Sequence, residues 1–221
     1  MPLLNEKSMR ELAQRLQEVL VDPVELILYV RPESSRLILP DGHGCQSCAP
    51  MRELADALVE QSGSKISLEV VDNYGGDVPA LTVRRSGEEA RIVFKGLPGG
   101  YEFATLIDAV ERLSKADSAL SPQSTELIDG LDHQVDLMVF VTPSCPYCPA
   151  AAATANRMTV ASPLIRSTVI EANEFADLSQ RFGVRGVPQT VVNGHQVMVG
   201  ALPELEFVAR ATAAPISEDV G

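Results

Sequence analysis

The sequence is short of cysteine, of basic residues and of long apolar runs, and each shortage closes a class of function. Four cysteines in 221 residues are too few for a secreted disulfide scaffold. Lys and Arg number 18 against 30 Asp and Glu, for a net charge of −12. With no basic run to offset that charge, nucleic acid and anionic membrane surfaces are poor partners. The longest apolar stretches are only of strand length, so no bilayer-spanning segment is expected. Glu6, Lys7, Arg10, Glu11, Arg15 and Glu18 interrupt any apolar run in the first 20 residues, which excludes a signal peptide there and makes a cytoplasmic location the expectation. His133 and His195 are isolated, and no metal-ligand spacing joins them.

What is present is concentrated. All four cysteines fall in two Cys-x-x-Cys pairs, Cys45-Gln46-Ser47-Cys48 and Cys145-Pro146-Tyr147-Cys148. Before the second pair, Leu137 to Val141 reads as a buried strand that stops at Pro143; after it, Ala150 to Ala155 reads as a helix. The cysteines therefore sit where a strand hands over to a helix N-terminus. Unpaired N–H groups and the positive end of the helix dipole favour a thiolate there. Such pairs are redox-active or bind metal. Zinc motifs hold their two pairs about 15–20 residues apart, whereas here each pair has its own strand–helix frame. A zinc-binding or purely structural role is the alternative of another class.

The hydrophobic pattern predicts helices over 6–20, to about Gln61, over 102–113, 122–131, 147–159, 174–182 and 203–213. Strands are predicted over 24–30, 66–71, 80–84, 90–94, 135–141, 166–171, 189–193 and 195–199. Ser8-x-x-Glu11 reads as a capping box for the first helix, and Ser121 with Pro122 as the start of the fourth. The segment Leu37-Ile38-Leu39 is a strand extension or part of a loop. The small, polar stretch Lys115 to Pro122 marks a boundary, giving units 1–118 and 119–221. The two units share a plan: strand, Cys-x-x-Cys, helix, strand, a Val-Pro pair, a hairpin, a glycine and a closing helix. The second has an extra helix after its second strand, where the first has only Asp72-Asn73-Tyr74-Gly75-Gly76-Asp77.

This plan resembles the thioredoxin fold. Two such units with Cys-Pro-Tyr-Cys in the second resemble the glutaredoxin-like protein disulfide oxidoreductases. The likeness includes Asp22-Pro23-Val24-Glu25-Leu26-Ile27, Gly96-Leu97-Pro98-Gly99-Gly100-Tyr101-Glu102-Phe103 and Val139 to Pro149. The plan also resembles the N-terminal domain of the flavoprotein component of alkyl hydroperoxide reductase, whose first unit has lost its cysteines. The fold class expected is therefore α/β, as two tandem thioredoxin-like units, each a mixed sheet flanked by helices.

The expected chemistry is thiol–disulfide exchange. Cys145, nearest the helix N-terminus, is the expected nucleophile and Cys148 the resolving thiol, with Cys45 and Cys48 in the same roles in the first unit. Pro146 stiffens the turn and Tyr147 covers one flank. The resemblance implies that Pro79 and Pro188 are cis and that Val78 and Val187 present their backbone to an extended substrate. Thioredoxins carry a buried acid six residues before the first cysteine. Leu39 and Val139 stand there, which puts such an acid in doubt. Asp41 and His43 lie near Cys45 in sequence, and Glu171 ends a strand. No bound cofactor and no metal are expected. Electrons would come from an NADPH-dependent, thioredoxin-reductase-like flavoprotein and pass to disulfide-containing proteins. Two redox alternatives stand beside this: a module that reduces a peroxiredoxin, and an oxidase or isomerase of folding proteins.

Overall fold

A computed structural model describes residues 6–31, 45–72 and 74–214, with side chains from Met9 onward. The elements in chain order are α1 (Glu6–Val19), β1 (Val24–Tyr29), α2 (Cys48–Gln61), β2 (Ile66–Val71), β3 (Ala80–Arg85), β4 (Ile92–Lys95), α3 (Glu102–Lys115), α4 (Pro122–Asp129), β5 (Val135–Val141), α5 (Cys148–Ala161), β6 (Ile165–Glu171), α6 (Ala176–Arg181), β7 (Gln189–Val192), β8 (Gln196–Val199) and α7 (Glu204–Thr212). Every helix and strand expected from periodicity is present, with bounds moved by a few residues. The backbone does not place Ser8 at the N-cap position that the capping box requires: α1 begins at Glu6, so Ser8 lies within the helix. The apolar piece Leu37-Ile38-Leu39, together with Asp41 and His43, lies outside the described residues.

The strands do not form two sheets. They form one sheet of eight, in the order β2-β1-β3-β4-β6-β5-β7-β8. The first unit's β4 pairs in parallel with the second unit's β6, Ile92 opposite Ser167 and Lys95 opposite Ile170. Because side chains alternate along a strand, each transverse row of paired residues faces one side. The row Leu28, Leu81, Phe94, Val169 and Val139 faces the main core. There it meets Leu16 of α1, Met51 and Leu58 of α2, Leu106 and Val110 of α3, Ala152 and Met158 of α5, and Phe207 of α7. The next row along, Tyr29, Ala80, Lys95, Ile170 and Phe140, faces the other side.

On that second side the two units differ. In the second, α6 covers the sheet, with Phe175, Leu178 and Phe182 packed on Phe140, Ile170 and Val191. In the first, the described residues between β2 and β3 form no helix. Instead Tyr74 lays its ring 4.7 Å from that of Tyr29, held by Arg31, which donates to the carbonyl oxygens of Tyr74 and Gly76 at 3.0 and 2.7 Å. The segment with Gly75 and Gly76 is too short for a helix, so one aromatic ring stands in for it.

Polar contacts tie the halves together. Arg91, just before β4, donates to the carbonyl oxygens of Thr159, Ser162 and Ile165 at 2.7, 2.6 and 3.2 Å. It thereby gives the Thr159 oxygen, in the last turn of α5, a donor that the helix does not supply, and ties that turn to the start of β6. Arg157 of α5 reaches back to Asp108 of α3 with two bonds, 3.0 and 3.1 Å. Residues 116–121 connect α3 to α4, whose N-cap is Ser121 with Pro122 in the first turn, as the sequence predicts. The carboxylate of Glu204, at the start of α7, adds acceptors there for the Ser121 N–H and the Ser124 hydroxyl, at 2.9 and 2.8 Å.

Candidate functional site

Both cysteine pairs lie at a helix N-terminus, and the second follows directly on a strand. β1 leads toward Cys45 and α2 begins at Cys48; β5 ends at Val141 and α5 begins at Cys148. The helix forms after the second pair because Pro149 fits a first turn, where no N–H is needed, and the alanines that follow favour helix. Each pair is disulfide-bonded, with Cα atoms 5.4 Å apart in the first and 5.5 Å in the second.

Within each pair the two sulfurs are placed differently. Cys148 has no exposed surface, whereas Cys145 keeps 8% of its surface exposed; in the first pair Cys48 keeps 4% and Cys45 is half-buried. In each pair the first cysteine is the more accessible of the two. The Cys148 N–H donates to Cys145 Sγ at 3.1 Å, and the Cys145 N–H donates to the Thr142 oxygen at 3.1 Å. The first of these aims a helix-terminal donor at the sulfur that would carry charge once the disulfide opens.

The Val78–Pro79 and Val187–Pro188 peptide bonds are both cis. The Val187 carbonyl oxygen lies 3.7 Å from Cys145 Sγ, so Val187 is brought to the second pair. Pro79 and Pro188 are both buried, Val78 and Val187 are half-buried, and Pro146 and Tyr147 are exposed. Tyr147 presents 70% of its surface, beyond any flank-covering contact. The two prolines sit alike: Gly96 donates to the Pro79 oxygen at 2.9 Å and Gly200 to the Pro188 oxygen at 2.8 Å. Gly96 and Gly200 have φ of +86° and +84°, a backbone that side chains rarely adopt, so each proline is fastened by a glycine turn.

An acid is present, but it comes from an element that the cysteine spacing does not point to. Val139 is buried in the sheet. Glu102, first residue of α3, is 2% exposed, and among the described residues neither of its carboxylate oxygens nor the nearby Thr105 hydroxyl has a hydrogen-bond partner. Burial pushes its pKa up to about 7, against a smaller opposing effect of Thr105. Its carboxyl lines a small cavity with Phe94, Leu97 and Pro98 of the first unit and Val141, Val169 and Glu171 of the second. The start of α3 is pinned to the loop that precedes Cys145, since the Tyr101 N–H donates to the Pro143 oxygen at 3.1 Å. Gly100, at φ +57°, lies so close that any side chain there would collide with that same oxygen.

The second acid at this cavity is different. Glu171 is 6% exposed, yet it accepts from Asn173 at 2.9 Å and from the Glu174 N–H at 2.6 Å. It caps the turn into α6, as a helix-entry acid should. His133 pairs with the neighbouring Asp132 and His195 approaches the Asn193 oxygen, both far in sequence from the cysteines. Among the described residues no group of three or more His, Cys, Asp or Glu is placed to hold a metal. Also among them, no helix is long and apolar enough to cross a membrane.

Comparison with known proteins agrees with this geometry. Residues 135–212 match the model of a thioredoxin domain family. A protein disulfide oxidoreductase from Aeropyrum pernix K1 superposes with a TM-score of 0.80 at 28% identity, covering 96% of this chain and 93% of that one. The alkylhydroperoxide reductase protein AhpF of Enterococcus faecalis superposes with a TM-score of 0.81 at 18% identity, covering 95% of this chain and 99% of that one. In sequence, the corresponding alkyl hydroperoxide reductase protein of Pseudomonas putida is 29% identical over 147 residues, 66% of this chain but 28% of that protein. A protein of Ferdinandcohnia aciditolerans named NADH dehydrogenase is 27% identical over 170 residues, 77% of this chain and 32% of its own length. The chain thus spans about a third of the length of the curated relatives it matches. Its fold is that of tandem thioredoxin-like units, with the match to the thioredoxin domain model lying in the second.

Proposed function

We propose that the chain is a protein thiol–disulfide oxidoreductase that works by direct dithiol–disulfide exchange, with its two centres in units 1–118 and 119–221. The observation that carries this reading is the arrangement at Cys145: a residue that keeps 8% of its surface exposed, its sulfur bonded by a helix-terminal N–H and set beside the carbonyl of a cis-proline turn, with Cys148 fully buried. A second disulfide, Cys45–Cys48, at the start of α2, and a second cis Val-Pro bond, Val78–Pro79, support a second centre.

In the reducing direction the Cys145 thiolate attacks one sulfur of a substrate disulfide. A mixed disulfide forms and one substrate thiolate leaves. Cys148, as thiolate, then attacks the Cys145 sulfur, which releases the second substrate thiolate and closes the Cys145–Cys148 disulfide. Two electrons pass to the substrate and the two cysteines are oxidised. The backbone of Val187 offers strand-like hydrogen bonds to the substrate segment, and the exposed ring of Tyr147 offers it apolar surface. A flavoprotein reductase that draws on NADPH restores the dithiol.

The test is trapping. Cys148→Ser, mixed with a disulfide-bearing protein such as insulin, should accumulate a mixed disulfide at Cys145 visible by mass. Disulfide reduction by the wild type that survives undiminished in Cys45→Ser with Cys145→Ser would end the proposal. Relatives named for alkyl hydroperoxide reductase favour a peroxiredoxin as the acceptor. Reduced protein should then transfer electrons to an oxidised peroxiredoxin faster than an equal concentration of small dithiol does.

A further inference from the structure

The strand registers fix how the two cysteine pairs stand to one another. β1, β4, β6 and β5 all run in the same direction, since β1 is antiparallel to β3, β3 to β4, and the remaining pairings are parallel. Both pairs lie on the same rim of the sheet: Cys145 follows the end of β5 directly, and α2, which begins at Cys48, runs back from that rim to β2, the parallel neighbour of β1. The helices that follow them, α2 and α5, pack into the same core on the same face. Each pair also has its proline on that rim, one residue before the row that runs Tyr29, Ala80, Lys95, Ile170, Phe140 and Gln189. From Tyr29 to Phe140 along this row are four strand spacings, roughly 19 Å at about 4.8 Å each. Sheet twist turns the two ends further apart.

That separation is too great for one sulfur to attack another, and nothing lets it close. No linker separates the two halves of the sheet; β4 and β6 are hydrogen-bonded neighbours. The Tyr101–Pro143 bond, the Leu97 N–H donating to Glu174 at 2.8 Å, and the Arg91 and Asp108 contacts all cross the junction. A hinge between the units would have to break the sheet.

We propose that the two pairs are separate stations on one rim, and that electrons cross between them only on a separate dithiol carrier that visits both. This rests on the exchange reading given above. The carrier is another protein or peptide with one Cys-x-x-Cys rather than a second copy of this chain, because two copies at −12 each repel. Its disulfide accepts two electrons and two protons from the Cys145–Cys148 dithiol, which closes to a disulfide. As a dithiol it then reduces the Cys45–Cys48 disulfide and is itself reoxidised. The same handedness and the same proline turn at both stations let one docking orientation serve both.

The experiment is exchange spectroscopy on the full chain with 13C-labelled cysteine, half-reduced with dithiothreitol that is then removed. Cysteine Cβ shifts separate thiol from disulfide, so interconversion of the two half-reduced forms is read at equilibrium. The expected result is no exchange in the protein alone, and a rate that rises linearly with an added peptide bearing one Cys-Gly-Pro-Cys, at least about tenfold over the peptide-free limit. Peptide-free exchange independent of protein concentration would be intramolecular and would overturn the proposal. Peptide-free exchange that grows with protein concentration would make a second copy the carrier and overturn it too, as would no exchange at any peptide concentration. Failure of the peptide dithiol to reduce either pair is a different result, one that sinks the exchange reading itself.

Discussion

At the scale of single residues, Glu102 is where two rules conflict and magnitude decides. A carboxylate in the first turn of a helix is favoured by the helix dipole, by about 0.3–1 kcal/mol at an exposed site. Burial without a hydrogen-bond partner costs more, and the pKa rises from 4.5 to about 7. The folded state therefore holds a proton that the unfolded chain releases between pH 4.5 and about 7. Over that window the unfolded state binds fewer protons, so stability falls as pH rises. Glu102→Gln should match the wild type in denaturant midpoint at about pH 4 and exceed it at about pH 8, by up to about 3 kcal/mol. Equal midpoints at both pH values would show that the carboxyl is not desolvated. The same variant bears on chemistry, since a buried acid titrating near neutrality is the group here best matched to taking a proton from a buried thiol. Release of substrate from the mixed disulfide should slow about tenfold or more in Glu102→Gln, with the formation step unchanged. Rapid-quench alkylation of single turnovers separates the two steps. Glu102 was not legible in the sequence, because an acid opening a helix reads as an ordinary dipole partner. Only the strand pairing that brings α3 under the Pro143 loop gives it a role. The cysteines and both prolines were legible, because turn chemistry and their repeat in the two units mark them locally.

At the scale of elements, the second pair is held by parts of the first unit. The loop before Cys145 rests on the start of α3 through Tyr101, and Gly100 is required there because a methyl group would meet the Pro143 oxygen. Gly100→Ala should cost about 1–3 kcal/mol and displace the Cys145 loop, read as lower stability together with slower attack at Cys145. A change at Gly87 is the control: it also has positive φ, 81°, but no atom stands within 4 Å of an added Cβ. Gly87→Ala should therefore lower stability through backbone strain alone and leave the Cys145 rate unchanged. Arg91 works at the other end of α5. Its three bonds to carbonyl oxygens are charge-assisted, and Arg91→Met keeps much of the packing while removing all three, which takes from the Thr159 oxygen its side-chain donor. About 2–3 kcal/mol of destabilisation is expected, with the loss of amide-exchange protection concentrated in the last turn of α5. The individual helices and strands were readable because their periodicity is strong and their turns carry Pro, Gly or Asn-Gly. The bounds drifted where the ends are set by such long-range partners, as at β4, which starts at Ile92 where Arg91 turns to meet α5.

At the scale of the whole molecule, two repeats of one plan do not make two independent bodies. Nothing in the residues of β4 announces that its free edge will pair with β6, since Ile92-Val93-Phe94-Lys95 alternates as any half-buried strand does. The sequence shows two units and a polar stretch between them, which suggests separable domains. The pairing instead closes what would be an edge on each, leaving β2 and β8 as the outer strands. The core follows suit: Phe94 and Val169, from different units, are neighbours in one row of the same buried cluster. Unfolding one unit alone would strip the β4–β6 ladder, bare the Asp108–Arg157 pair and open the cavity lined by Glu102 to water. The cost of that exposed surface falls on whichever unit remains. The chain should therefore unfold in one transition. The backbone amides of Leu26 in β1 and Val139 in β5, each fully buried, should show the same opening free energy by native-state hydrogen exchange, within about 1 kcal/mol, and the same dependence on denaturant. A Leu26 amide that opens several kcal/mol more easily than Val139, with a smaller denaturant slope, would mean that the first unit melts by itself and that the shared sheet is not what couples the two cysteine centres.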